Sequence, residues 1–569
     1  MLRVEYADGR WSTLEFFVTE PLETVIKKRA AFLVSHHQHK DPSKWYLGTF
    51  GDWDQKNEIL RGPEDRDGLS AWLTDANDDA GNARPAFVAA KNVFFPERRE
   101  IEGLELYISK YLWGGMQMTE DEKYPFAIYG IPNFHENRAS ADPGRNGRAH
   151  VWRIYDYPHI VMLYLRMHQI AKFYPNMVKH LDAAIYLERA YRTAVAYWTV
   201  PMEVQKWSAD SVPTMNEACI PELIATLETQ GKQEWADHLR EFWEGKVRRF
   251  VMDTPNLYGS EFAFDSTGFE STGAFAHYAL RRESAAFRQA VPLAKAQEFM
   301  DFQLRLNMSD RGWIEPTFYQ LGSDYRGNLS YLLSYMSQMG GGAILDYGLH
   351  FASDPSDYLR LGYASTLSSW ALVNSGTAAS GFGYWFPSKN NDGAAGGGFM
   401  PEPSGRTWIG KTIPRGAWYY SAEADVGFSG VLRIHATVLA RDPLFGDFAY
   451  GGVLIKTAGS INVIPRDGLR VRFHVIRGQQ RLHLELDRDG FAPEQAVVVD
   501  DALERIAFTL ENRIGTAHET TLAIAGLPPG EFKVTFDGKD VASVQGGTQT
   551  TRVVLPVGTG AAGAVVIGR

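Results

Sequence analysis

Residues 259–272, Gly-Ser-Glu-Phe-Ala-Phe-Asp-Ser-Thr-Gly-Phe-Glu-Ser-Thr, set Glu261, Asp265 and Glu270 among three phenylalanines and a run of hydroxyls, directly before a helical pattern. Acids held beside rings at a helix mouth suit the gripping and cleaving of a sugar. The simpler reading is that Ser266 and Thr267 cap the helix and the acids complement its dipole. That reading weakens because the texture recurs in Asp52-Trp53-Asp54, in Arg153-Ile-Tyr-Asp156-Tyr157-Pro-His159 and in Asp324-Tyr325-Arg326. It returns again in Leu345-Asp-Tyr347 and Gly383-Tyr-Trp385-Phe386.

Glycoside hydrolysis needs one carboxylic acid to protonate the leaving oxygen and a second carboxylate to activate water or attack. Asp265 or Glu270 is the expected general acid, because burial beside rings favours the protonated form. Asp324 or Asp156 is the expected base. Substrate contacts are expected from Asp52, Trp53, Asp54, Arg153, Tyr157, His159, Glu261, Tyr325, Arg326, Trp385, Trp408 and Arg415. Structural ion pairs with Arg153, Arg326 or Arg415 would explain the acids equally well. The alternative chemistry is β-elimination by a polysaccharide lyase acting on a uronate. It wants a Tyr or His to move protons and an Arg or amide to neutralise the carboxylate. His159, Tyr157, Tyr325, Arg326 and Asn328 could supply that set. A non-catalytic glycan-binding protein is the third reading, disfavoured because binding alone does not call for several acids beneath the rings.

These residues need a large scaffold. At 569 residues the chain is too long for one simple core, so two or more domains are expected. Aromatic residues make up 13% of it, well supplied with Trp and Tyr, which offers flat surfaces for sugar faces. A net charge of −10 argues against a nucleic-acid partner. No apolar run is long enough to span a membrane. The N-terminus lacks the profile of a signal peptide, so a cytoplasmic site is expected, or a periplasmic or extracellular one if a leader has been removed. Cys219 lies in an apolar helical stretch and reads as a small core residue rather than a nucleophile.

Residues 1–18 read as a β hairpin around Asp8-Gly9, the remnant of a larger β domain upstream. From 19 to 376, about a dozen segments with apolar residues at helical spacing alternate with Gly- and Asp-rich loops. Some are apolar nearly all round and others have a charged face, as two concentric rings of helices would require. The expected fold is therefore an (α/α)6 toroid of six helical hairpins. Residues 377–430 read as a Gly-rich, aromatic loop region over the cleft. Residues 431–569 read as an antiparallel β-sandwich in a structural role.

From Trp45 to about Arg472 the chain resembles a domain family of unknown function, DUF5695, in the six-hairpin glycosidase-like group. The residues that carry the resemblance are Ala90-Lys-Asn92, Arg153–His159, Glu261–Thr272, Gly322–Arg326, Tyr335–Gly340, Leu367–Leu372 and Pro414–Tyr419. It implies a carbohydrate-active toroid, often with a β-sandwich upstream, and carries no settled catalytic assignment. No cofactor is expected. Calcium is the one metal with a foothold, at Asp75-Ala-Asn-Asp-Asp79 and Asp65-Arg-Asp-Gly68, but neither has full calcium-loop spacing and solvated turn acids explain both. Zinc-protease and P-loop motifs are absent from the sequence.

Overall fold

The computed structural model describes residues 2–14, 20–54, 58–65, 79–130, 134–253, 268–281, 284–310, 334–370, 404–406, 412–414, 421–457 and 459–569. Strands β1 (Leu2–Glu5) and β2 (Trp11–Leu14) form the expected hairpin, with Leu2 opposite Leu14 and Gly9 in the left-handed region that its turn requires.

Helices follow. They are α1 (Leu22–Phe32), α2 (Asp79–Phe94), α3 (Arg98–Tyr107), α4 (Phe134–Ala139), α5 (Tyr157–Phe173), α6 (Ala183–Gln205), α7 (Cys219–Thr229) and α8 (Gln233–Asp253). After them come α9 (Phe269–Arg281), α10 (Ala285–Ala290), α11 (Leu293–Asp310), α12 (Ser334–His350) and α13 (Ser356–Trp370). Local chemistry explains their ends. Asp182 caps α6 by accepting the Ile185 N–H at 2.9 Å, and Lys206 closes that helix in the left-handed region. Pro158 stands in the first turn of α5, where no helical N–H is lost.

The expected division into buried and amphipathic helices holds. Nearly every residue of α5 is buried, whereas α8 buries only the stripe Ala236, Leu239, Trp243, Lys246, Val247, Phe250 and Val251. Helices α5 with α6, α7 with α8, α9 with α11 and α12 with α13 pack as neighbours. The helical part extends beyond residue 376. Ser421–Ile434, expected as the end of a loop region and the start of a strand, is helix α14, and it packs on α2 and α12. Its apolar face carries Val426, Phe428, Val431 and Leu432 at helical spacing, and Phe428 stacks on Trp370 at 4.9 Å. Buried Arg29 of α1 grips buried Asp425 of α14 through two hydrogen bonds, at 2.9 and 2.6 Å, so the first and last helices are tied together.

Two sheets form the C-terminal part. Before them, β3 (Asp52–Asp54) pairs with β4 (Ile59–Arg61) and β5 (Ser404–Arg406) with β6 (Thr412–Pro414). One sheet runs β18 (Lys539–Gln545), β17 (Glu531–Phe536), β20 (Ala562–Gly568), β15 (Arg505–Glu511), β14 (Val497–Asp500), β10 (Ser460–Pro465) and β9 (Gly452–Thr457), with β13 (Gly490–Phe491) beside β15. The other runs β19 (Thr551–Val557), β16 (His518–Ala525), β12 (Gln480–Leu486), β11 (Arg472–Arg477), β7 (Thr437–Asp442) and β8 (Gly446–Tyr450). Pairing is antiparallel except between β11 (Arg472–Arg477) and β7 (Thr437–Asp442), so the second sheet is mixed rather than purely antiparallel. Alternate residues such as Val463, Val475, Leu484, Leu522 and Ile567 fill the buried core. Arginines of this β part cap three of the helices. Arg513 donates to the Phe94 carbonyl at 2.9 Å, Arg488 to Phe173 at 2.8 Å and Arg481 to Gly348 at 2.9 Å. The sheets thus supply donors to the orphan carbonyls at the C-terminal ends of α2, α5 and α12.

Candidate functional site

Helix α5 spans about 21 Å from His159 to Phe173, taking 1.5 Å per residue. Its C-terminal end meets the sheets, and its N-terminal end carries the candidate site. The turn before α7, Pro213-Thr-Met-Asn-Glu217, puts Asn216 at φ +61°, in the left-handed region where a non-glycine residue is uncommon. Three groups hold it there. Its side-chain amide donates to His159 Nδ1 at 2.8 Å, its carbonyl oxygen accepts from Arg433 Nη1 at 3.5 Å, and its backbone N–H donates to Glu270 at 2.8 Å. Arg433, near the end of α14, also pairs with Glu270 and lies 3.7 Å from Glu222, which pairs with Arg166 of α5. Asn216 and His159 are fully buried and the Arg433 side chain is nearly so. Burial pulls the Arg433 guanidinium below its usual range, against the pull of Glu222.

A second layer supports the turn. Glu217 accepts the Thr214 N–H at 2.9 Å and the Tyr197 hydroxyl at 2.7 Å, and pairs with Lys246 of α8; all of these side chains are buried. Burial pulls the Lys246 ammonium down while Glu217 opposes it. The Ser271 hydroxyl donates to the Thr214 carbonyl. A strained asparagine fixed directly from three helices is the arrangement in which strain persists, and such residues cluster at functional sites.

The expected site residues divide. His159 and Glu270 meet through Asn216. Asp156 and Arg153 lie in the turn that opens α5, 3.8 Å apart, with Asp156 fully buried. Tyr157 is buried and its hydroxyl donates to the Val151 carbonyl; burial pushes the phenol far up. Trp53 stands in β3 (Asp52–Asp54), paired with β4 (Ile59–Arg61), and its ring neighbours are Phe32 and His36. Asp52 and Asp54 flank it in the strand. Glu261, Asp265, Asp324, Tyr325, Arg326, Trp385, Trp408 and Arg415 lie outside the described residues, as does Asn328.

Asn216, Arg433, Glu217 and Lys246 were not anticipated. The word Thr-Met-Asn-Glu before an apolar helical run resembles an ordinary helix start, and Arg433 sits in a stretch with strand-like composition. Cys219 is buried as expected, with burial pushing its thiol up to about 12, which makes it inert. Asp65 accepts the Gly62 N–H at 2.7 Å, a turn role, and among the described residues no group of acids, histidines or cysteines could hold a metal ion. No described helix is long and apolar enough to cross a membrane.

No curated protein matches the sequence. Among solved structures, a polysaccharide lyase aligns at 13% identity and a TM-score of 0.49, covering 72% of this chain and 52% of that one. The heparan sulfate lyase HepC from Pedobacter heparinus aligns at 10% identity and a TM-score of 0.28, covering 96% of this chain and 83% of that one. The chain therefore spans about half the length of the first lyase. The family match runs from residue 1 to 292 and not from Trp45 to Arg472, so Gly322–Arg326 and the words after it fall beyond the matched segment. Over those residues, just over half of its length, the sequence fits the model of DUF5695, a family of unknown function, and the chain belongs to that family.

Proposed function

We propose that this protein is a polysaccharide lyase that cleaves a uronate-containing glycan by β-elimination. The observation that supports this most is Asn216, a left-handed amide held between an imidazole and a guanidinium. Elimination needs the uronate carboxylate neutralised, a base for the proton on C5, and a proton for the leaving oxygen on C4. The second N–H of the Asn216 amide supplies the first requirement, and Arg433, already paired with Glu270, orients that amide. Because Asn216 donates to Nδ1, the neutral His159 ring carries its proton on Nε2, a tautomer inferred from the hydrogen bond. Its part is to fix the orientation of the Asn216 amide. The base is a further side chain, for which Tyr325 is the candidate. As the base takes the C5 proton, the C5–H electron pair becomes the C4–C5 double bond, the C4–O bond breaks, and the base returns that proton to the departing oxygen.

A hydrolase would instead need two carboxylates free to exchange protons or attack. Glu270 meets Arg433 and the Asn216 N–H, so its oxygens are engaged in holding the turn. The same reading takes α2, α5, α7, α9, α12 and α14 as the inner ring of a six-hairpin toroid, a view supported by the return of α14 onto α2. The sheets take a structural role.

The test is digestion of a panel of acidic and neutral polysaccharides, read both for reducing ends and for ultraviolet absorbance of an unsaturated uronate. Both signals rising together on a uronate-containing glycan is the expected result. Reducing ends without absorbance would return the protein to the hydrolase reading. Neither signal on any glycan would overturn both.

A further inference from the structure

A cleft of about 960 Å³ lies away from the Asn216 cluster and shares no residue with it. Its walls are α1 with the turn after it, the end of α2, the start of α3, and the Glu511–Arg513 edge of the sheets. That volume is at the upper end of the range for small-molecule sites. Its floor is rigid. The buried Gln38 amide donates to the Gly103 carbonyl at 2.7 Å and to the Gly48 carbonyl at 3.0 Å. A Cβ at Gly103 would come within 2.8 Å of Gln38 Oε1 and 3.1 Å of Val34, so only glycine leaves room for that amide.

The charges around the cleft are unequal in their partnering. Lys27 pairs with Glu23, buried Lys91 with buried Glu100, and Arg513 with Glu511. The acid Glu102 is taken by Lys179. Lys40 and Arg99 remain, both exposed and both lining the cleft, with no acidic partner among the described residues. They are close enough that the Arg99 charge, after burial, lowers the Lys40 ammonium from its ordinary range. Glu97 on the rim is the single acid left to oppose them. Two neighbouring cations that repel each other on a protein of net charge −10 gain from an anion that bridges them.

We propose that this cleft is a second glycan-binding site, which holds the carboxylate or sulfate groups of an acidic oligosaccharide on Lys40 and Arg99. The identity of the ligand rests on the lyase reading above; the anion site itself does not. Such a site would keep a long acidic chain on the protein while the Asn216 cluster acts on another stretch of it.

The test uses the full chain and three probes: a heparin hexasaccharide, neutral maltohexaose and inorganic sulfate. Titration calorimetry at low salt gives affinity, and hydrogen exchange gives location. The hexasaccharide should bind, protect residues 34–40 and 97–106, and lose affinity as salt is raised. Maltohexaose should do neither. The double variant Lys40→Gln/Arg99→Gln should weaken the hexasaccharide roughly ten-fold or more while leaving turnover of short oligosaccharides unchanged. Protection and weakening in a protein that cleaves no glycan would keep the cleft proposal and sink only the lyase reading. Turnover with no protection of these segments, and unchanged affinity in the double variant, would overturn the cleft proposal. If sulfate alone gave the same protection at comparable concentration, the site would be one for free oxyanions, and the glycan assignment would fall.

Discussion

Asn216 separates folding from chemistry more cleanly than any other residue of the candidate site. Replacing it with glycine removes the left-handed strain and also removes the amide, two effects of about 1 kcal/mol and opposite sign. Asn216→Gly should therefore unfold in denaturant within about 1 kcal/mol of wild type, yet lose at least roughly 10²-fold in elimination rate if the amide helps to neutralise the carboxylate. Retained activity would remove Asn216 from the site. The Lys246–Glu217 pair beneath it makes the opposite forecast. Lys246→Met strands a buried carboxylate and should cost about 3–5 kcal/mol in chemical denaturation. Adding Glu217→Leu should recover part of that loss, the remainder reflecting the Thr214 N–H that Glu217 also satisfies.

At the scale of elements, α9 and α12 meet strands β11 and β12 (Gln480–Leu486) through a group of histidines. His277 and His350 flank Asp346, with His350 at 3.5 Å from it, and the His350 ring stacks on His483 at 4.3 Å. His483 Nδ1 lies 3.0 Å from His474 Nδ1, so one of the two must donate. Burial would push Asp346 up, but His277 and His350 hold it well below the usual carboxylate range. Burial, then the neighbouring His350, pulls His483 down to about 3, and burial with His483 pulls His474 well below its usual value. Arg281 and Arg481 face His483 and add to the depression; Asp346 opposes it. The sign follows. An unfolded histidine takes up its proton near pH 6.5, whereas His483 in the fold does so near 3, so the unfolded chain binds more protons between those values. Stability is full above about pH 6.5 and falls as the pH drops toward 3, by up to about 1.4 kcal/mol per pH unit for each such histidine. Denaturant unfolding at a series of pH values should show this slope, and His483→Gln should flatten it by about one proton. An unchanged slope would mean that the strain of acidification is taken up elsewhere.

For the whole molecule, the helices and the sheets should behave as one unit, because arginines of the sheets end α2, α5 and α12 and Arg29–Asp425 ties the first helix to the last. Arg513 makes the sharpest test. It donates to the Phe94 carbonyl, lies 4.1 Å over the Phe95 ring and is buried against Glu511. Arg513→Ala should cost about 2–3 kcal/mol, since charge-assisted hydrogen bonds and cation–π contacts are worth that much together. Hydrogen exchange should quicken both in α2 and in β15 (Arg505–Glu511). Faster exchange in one of them alone would show that the two parts open separately.

Periodicity by itself determined most of the elements. The apolar spacing of 160–173, 235–251 and 270–280 marks helices found within a few residues of those bounds, because one stripe or the whole surface of each is buried. Strands such as 453–456, 481–486 and 532–536 announce themselves by alternation. Helix α14 did not, since Val431-Leu-Arg-Ile434 is as apolar as a strand and only packing on α2 and α12 decides that it coils. The site shows the same limit. His159 and Glu270 were legible as acid, ring and imidazole words near helix starts. Arg433 was not, because it stands 163 positions after Glu270 and 274 after His159 and carries no local signal. Neither was the left-handed backbone of Asn216, which no dipeptide word demands; it exists because Lys246 of α8, acting through Glu217, and Glu270 and Ser271 of α9 hold the turn from outside it. Spacing along a chain records which face of an element is buried, whereas the meeting of an imidazole, an amide and a guanidinium is decided by how whole helices are brought together.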